Sequence, residues 1–335
     1  MTNLIFTAIL TVSSYYSITY ISTGGNNMKN AIKTAHLIGL GAIGSVYASI
    51  IHQYNDKCIK VILDSERLER YRNGTVINGK RYFFDLTVPR AGDEPAELIL
   101  IAVKGHHLKE AIKSITPLVG QDTIIISLLN GITSEDYLSR AFGPEKILHG
   151  FCVGTDAVRE NNEVIFHNAG KIVFGEHYPE VKGKAEPVAG FFTRTGVPFW
   201  VPDNIRRQMW WKFMMNVGIN QTSAILRAPY GVYQKTPEAR ELMASACREV
   251  ILLAEKEGVS LSESDITEYM DYINVLSPDG KTSMLQDMEA GRKTEVESFA
   301  LTVINLGKKH GIPVPVNEML YRMIRVLEQN KKEGG

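Results

Sequence analysis

Residues 35–45 read Ala35-His36-Leu37-Ile38-Gly39-Leu40-Gly41-Ala42-Ile43-Gly44-Ser45. A short apolar run over 35–40 passes directly into glycines at positions 39, 41 and 44, and the chain beyond them has helical character. That order of strand, glycine turn and helix is the setting in which G-x-G-x-x-G carries meaning. Gly39 permits a tight turn, Gly41 lets the backbone approach a pyrophosphate, and Gly44 lets a helix opening at Ser45 pack closely on the strand. A helix N-terminus there offers N–H groups to an anion. Gly39, Leu40, Gly41, Ala42, Ile43 and Gly44 are therefore the expected dinucleotide loop. A glycine-rich turn that binds nothing would not need the strand, helix and second strand around it.

On either side of this loop, apolar runs at 35–40, 59–63, 98–103 and 123–128 alternate with helical segments, which predicts a parallel sheet with crossover helices. The run Leu98-Ile99-Leu100-Ile101-Ala102-Val103 has the unbroken apolar character of a strand covered on both faces. Over 75–88, Asn78-Gly79 inside an alternating pattern predicts a small antiparallel hairpin. Stretches 163–168 and 171–175 are expected to extend the sheet. After residue 203 a 3.6-residue periodicity takes over. Helices are expected at 241–257, stopped by Gly258, at 294–310, stopped by Gly311 and followed by Pro313 and Pro315, and at 316–331. The fold class is α/β: an N-terminal Rossmann-type parallel-sheet domain over 28–202, then an all-α domain over 203–335. Residues 1–27 form an extension excluded from the fold. Their apolar stretch from Leu4 to Val12 follows no Lys or Arg and is too short to span a bilayer.

Lys plus Arg number 37, as do Asp plus Glu. Balanced charge gives no long-range field to draw nucleic acid or an anionic membrane, so a small molecule is the expected partner. Cys58, Cys152 and Cys247 are odd in number and widely spaced, which fits a reducing, cytoplasmic setting rather than a disulfide framework or zinc site. His106 and His107 are adjacent and cannot easily converge on one ion, so no metal is expected.

Asp64 ends the second predicted strand, where a carboxylate accepts bonds from adenosine ribose hydroxyls and opposes a 2′-phosphate. Ser65, Arg67 and Arg70 follow closely and offer the opposite chemistry. In the stretch Trp210-Trp211-Lys212-Phe213-Met214-Met215-Asn216-Val217-Gly218-Ile219-Asn220, a continuous α-helix would align Lys212, Asn216 and Asn220 on one face among aromatic and apolar residues. A partly desolvated lysine has a lowered pKa and donates a proton near neutrality. The alternative is a solvated polar face, which more often carries mixed charges.

Taken together, the chain resembles the ketopantoate reductase family over about 34–328. The motifs are the glycine loop, Val103-Lys104, Leu129-Asn130-Gly131, Asn204-Ile205-Arg206 leading to Trp211-Lys212 with Asn216 and Asn220, Ser283-Met284-Leu285-Gln286-Asp287 with Thr294-Glu295, and His310-Gly311-Ile312-Pro313-Val314-Pro315. The resemblance implies that Lys212 is the general acid and that Glu295 supports it while contacting substrate. It implies that Asn216 and Asn220 bind the hydroxyl end of ketopantoate, that Ser283 binds its carboxylate, that Asn130 sits between cofactor and substrate, and that Lys104 reaches the cofactor side. The implied activity is NAD(P)H-dependent reduction of ketopantoate to pantoate, on the route to pantothenate and coenzyme A. NADPH is the family default, whereas Asp64 favours NADH. A homodimer is a candidate assembly. Two other readings stand beside this one: a reductase of another small 2-keto acid, and a dinucleotide-binding regulator without catalysis.

Overall fold

A computed structural model describes residues 31–160 and 163–333. The expected extension over 1–27 lies outside the described residues. The chain divides into two compact units. The first takes the described residues up to Ala102, then Lys113–Leu128 and Pro144–Asp203. The second takes Val103–Ile112, Leu129–Gly143 and the chain from Asn204 onward. Segments 103–112 and 129–143, which the sequence reading assigns to the sheet domain, thus group with the helices.

In the first unit the strands run in chain order β1 (Ala35–Ile38), β2 (Ile59–Ile62), β3 (Thr75–Ile77), β4 (Lys80–Tyr82), β5 (Asp85–Thr87), β6 (Leu98–Ile101), β7 (Ile124–Ser127), β8 (Ile147–Thr155), β9 (Val158–Glu160), β10 (Glu163–Ile165), β11 (Ala169–Gly175) and β12 (Phe199–Trp200). Eight form one sheet in the order β12-β11-β8-β7-β6-β1-β2-β5. The four predicted parallel strands form its centre, with β1 between β2 and β6 and β7 beyond β6. Every residue of β1, β6 and β7 is buried, including His36 in β1 and Ser127 in β7, and the unbroken apolar run of β6 is what a strand covered on both faces requires. The helices Ala42–Tyr54 and Ala185–Thr195 contribute Val46, Tyr47, Ile51, Val188 and Phe192 to this unit's core.

Asn78 and Gly79 both have positive φ, 48° and 72°, the conformation that lets a two-residue turn follow strand twist. They close the expected hairpin of β3 and β4. One expectation is corrected: β10 does not extend the main sheet. It pairs with β3 and β9 in a separate four-stranded sheet, order β4-β3-β10-β9. Side chains fix that partnership, because Asn78 exchanges two hydrogen bonds with the backbone of Phe166 and Glu163 accepts from the Gly79 N–H. The stretch 171–175 does extend the main sheet, as part of β11 antiparallel to β8.

In the second unit the expected 241–257 helix spans Pro237–Lys256 and ends before Gly258, whose φ is +72°. Met243, Ala246, Cys247, Val250, Leu253 and Ala254 are its core face. Burying the Met243, Val250 and Leu253 side chains contributes about 1.5–3 kcal/mol each. The last helix, Pro315–Glu333, begins on a proline whose missing N–H would have no helical partner.

Two helices depart from the predicted regularity. Ile205–Met215 is α-helical, Asn216–Asn220 forms a π-turn, and α-helix resumes at Gln221–Leu226. The expected 294–310 helix likewise has a π-turn at Glu297–Leu301 before α-helix from Thr302 to His310. A π-turn accommodates one extra residue and changes the direction of the side chains it carries. Lys212, Asn216 and Asn220 therefore do not share one continuous α-helical face, which corrects that expectation. Close packing accompanies the first turn: a Cβ on Gly218 would lie 2.4 Å from Sγ of Cys247 in the Pro237–Lys256 helix.

Candidate functional site

The glycine loop is built as its spacing predicts. Gly39 has φ +106°, which a side chain would strain. The helix begins at Ala42, inside the fingerprint rather than at Ser45, with Gly41 as its N-cap. A Cβ on Gly44 would meet the Gly39 carbonyl oxygen at 1.9 Å and Ala102 Cβ at 3.2 Å, so helix and strand can approach this closely only with glycine there. A Cβ on Gly41 would meet nothing within 4 Å. No acidic residue occupies the helix's first turn, and no side chain caps it. An open approach, bare helix N-terminus and absent counter-charge fit a dinucleotide pyrophosphate.

Asp64 lies just beyond β2 and caps the helix Ser65–Tyr71. Its Oδ1 accepts from the Arg67 N–H at 2.7 Å, and its Oδ2 lies 3.3 Å from Arg67 Nε. The carboxylate is half-exposed, so capping leaves it accessible to a ribose.

A polar network occupies the second unit. Lys212, in the last turn of Ile205–Met215, donates from Nζ to Asn130 Oδ1 at 3.0 Å. Asn130 donates from Nδ2 to Glu295 Oε2 at 2.9 Å. Lys104 Nζ donates to Asp287 Oδ2 at 2.9 Å and lies 3.6 Å from Glu295 Oε2. Arg292 Nε donates to Asp287 Oδ1 at 2.8 Å. Glu295 and Asp287 are buried, so each carboxylate depends on these cations and amides for its solvation. Burial acts to lower the Lys104 pKa, but the Glu295 and Asp287 carboxylates outweigh it and hold the pKa above its ordinary value.

Lys104, Asn130, Lys212 and Glu295 are thus brought together from positions as far apart as 104 and 295. Glu295 meets the Lys212 ammonium through the Asn130 amide. Asp287 enters the sequence reading only as the end of the motif at 283–287, with no role given to it, and Arg292 does not enter at all. The available signal is Asp287's place four residues after Ser283, on the same helix face.

Asn216 and Asn220 are joined by a long contact, Asn220 Nδ2 to Asn216 Oδ1 at 3.5 Å. Nδ2 of Asn216 is buried and, among the described residues, has no hydrogen-bond partner. Leaving a buried donor unsatisfied costs about 1–3 kcal/mol, which an oxygen from a bound molecule would recover. Ser283 is exposed at the first residue of the helix Ser283–Glu289 and stands outside the Lys104–Glu295 network. Its neighbour Thr282 caps that helix, accepting from the Leu285 N–H at 3.2 Å.

Residues 35–179 match the family described as Ketopantoate reductase PanE/ApbA, and residues 204–328 match Ketopantoate reductase PanE/ApbA C terminal. A 2-dehydropantoate 2-reductase of Aquifex aeolicus is 25% identical over 302 residues, covering 87% of this chain and 96% of that protein. The crystal structure of 2-dehydropantoate 2-reductase from Geobacter metallireducens GS-15 is 26% identical with a TM-score of 0.77, covering 89% of this chain and 99% of that one. A ternary structure of D-mandelate dehydrogenase with NADH and anilino(oxo)acetate shares the fold, with a TM-score of 0.81 at 22% identity, covering 89% of this chain and all of the other. Two family matches that together cover most of the chain, on a glycine-loop domain and a helical domain in this order, establish that the chain belongs to the ketopantoate reductase family of NAD(P)-dependent oxidoreductases acting on a CH–OH group.

Proposed function

We propose that this protein reduces ketopantoate to pantoate in pantothenate synthesis, with Lys212 as the proton donor. The observation that carries the substrate is the buried Nδ2 of Asn216, which has no hydrogen-bond partner among the described residues and belongs to the residue where the Lys212 helix passes into the π-turn. Ketopantoate bears a hydroxyl that a simple 2-keto acid lacks, and that oxygen suits an amide donor needing an acceptor. A reduced nicotinamide dinucleotide held at residues 39–44 would supply the hydride for the keto carbon. Negative charge then builds on the carbonyl oxygen, where the Lys212 ammonium delivers a proton. Asn130 holds the ammonium through Oδ1 while its Nδ2 is fixed by Glu295, so the lysine is oriented before substrate arrives. Asn220 shares the hydroxyl end with Asn216, and Ser283 takes the carboxylate. Lys104, kept cationic by Asp287 and Glu295, serves the cofactor side.

NADH is the preferred reductant in this reading, because the accessible Asp64 carboxylate suits ribose hydroxyls and repels a 2′-phosphate. Initial rates with NADH and NADPH on ketopantoate, and on 2-keto acids with and without the hydroxyl, test substrate and cofactor together. Faster turnover of acids lacking the hydroxyl would replace ketopantoate with another 2-keto acid. Tight dinucleotide binding without turnover of any keto acid would leave a regulator in place of a reductase.

A further inference from the structure

The four-stranded sheet lies outside the parallel core, yet one of its side chains reaches the glycine loop. Arg159, on edge strand β9, donates from Nη1 to the Leu40 carbonyl, 119 positions earlier in the chain. The same Nη1 lies 3.3 Å from the Tyr71 hydroxyl, and the guanidinium carbon stands 5.8 Å from the Tyr71 ring centroid. Tyr71 ends the helix that Asp64 caps, so Arg159 ties the fingerprint loop to the segment after β2. A second guanidinium, that of Arg70, lies 6.0 Å from the same ring.

Arg159 is only partly exposed, and no carboxylate among the described residues pairs with it. A guanidinium has five N–H donors, and the contacts to Leu40 and Tyr71 use one nitrogen. A half-buried cation with spare donors calls for an anion. The loop it touches is the one whose open Gly41 and bare helix N-terminus fit a phosphate.

We infer that Arg159 is a cofactor-binding residue: its free donors bond phosphate oxygens of the dinucleotide, while its bond to Leu40 holds the loop in its binding conformation. This rests on the reading of residues 39–44 as a dinucleotide loop. Pyrophosphate and adenosine 2′-phosphate offer the same oxygens, and the two cofactors tell them apart.

The test is the dissociation constant of NADH and of NADPH, read by quenching of tryptophan fluorescence in the unreacted protein and repeated at rising salt. Arg159→Gln is expected to weaken binding by about tenfold to a hundredfold, the worth of a charge-assisted hydrogen bond. Equal loss for both cofactors assigns the pyrophosphate, and loss confined to NADPH assigns the 2′-phosphate. The loss should shrink as salt screens the wild-type contact. Unchanged affinities, or a loss indifferent to salt, would overturn the inference and leave Arg159 as loop support. Arg159→Lys, which keeps the charge but not the fork, should fall between the two and serves if the Gln variant does not fold. Wild-type protein that binds neither dinucleotide would sink the loop reading itself.

Discussion

Lys212 and Asn130 are 82 positions apart, and the Lys212 ammonium donates to the Asn130 side-chain oxygen at 3.0 Å while the other end of that amide is held by Glu295. Removing the ammonium and removing its anchor should therefore differ in degree. Lys212→Ala should lower kcat by at least about a hundredfold, the low end for a general acid. Asn130→Ala keeps the ammonium but frees it, so kcat should fall less, about tenfold. Steady-state kinetics check both, and a fully active Lys212→Ala enzyme would remove the lysine from its role.

Asn216→Ala removes a buried donor that has no partner in the described protein. Its thermal stability should change by less than about 1 kcal/mol, since no native hydrogen bond from Nδ2 is lost and Oδ1 gives up only the long 3.5 Å contact from Asn220. KM for ketopantoate should rise about tenfold, while keto acids lacking the hydroxyl should keep theirs. An equal rise for both classes would dissociate Asn216 from the hydroxyl.

Asp64 combines two duties that one substitution separates. Asp64→Ala loses the cap on Ser65–Tyr71 and should cost about 0.5–2 kcal/mol in denaturant unfolding. It also releases Arg67 and removes the charge opposing a 2′-phosphate, so the NADPH-to-NADH ratio of kcat/KM should rise about tenfold. Asp64→Asn, which keeps a capping oxygen, should shift the ratio with little loss of stability.

Gly41 and Gly44 should respond oppositely to alanine. At Gly44 the added Cβ would lie 1.9 Å from the Gly39 carbonyl oxygen, so Gly44→Ala should cost about 1–3 kcal/mol in stability and distort the loop. At Gly41 the Cβ meets nothing within 4 Å and φ is −79°, so Gly41→Ala should fold normally and lose dinucleotide affinity. Melting curves paired with NADH titrations separate the two effects.

His36 lies buried in β1 with Nδ1 unpartnered among the described residues. Burial first, and the Lys60 ammonium second, lower its pKa from 6.5 to about 4. The unfolded chain therefore binds the extra proton between these values. The linked stability is present above pH 6.5 and lost as pH falls toward 4, in all about 3 kcal/mol. His36→Leu should flatten the pH dependence of unfolding across that interval, and an unchanged slope would show that other groups produce it.

Much of the first unit is legible because its signals are local. The apolar run of four residues in β6, like the mostly apolar β1 and β7, carries its own evidence of burial on both faces, and Asn78-Gly79 carries the backbone conformation of its turn. β8 is harder to see, since Ile147–Thr155 contains His149, Gly150 and Gly154 and lacks a clean strand pattern. The sheet joined by β10 depends on Asn78 and Glu163 meeting across more than eighty positions, which no local pattern records.

Residue order is enough to read the chemistry available: a glycine loop after an apolar strand, an acid beyond the second strand, and a lysine with two asparagines in an apolar stretch. These depend on residue type and spacing along one segment. Folding in three dimensions adds the π-turn that re-aims Asn216 and Asn220, the Asn130 bridge between Lys212 and Glu295, the anchoring of Lys104 by Asp287 and Arg292, and the reach of Arg159 to Leu40. Those relations join groups far apart in the chain, and their energies exist only once packing has removed water and set distance and angle.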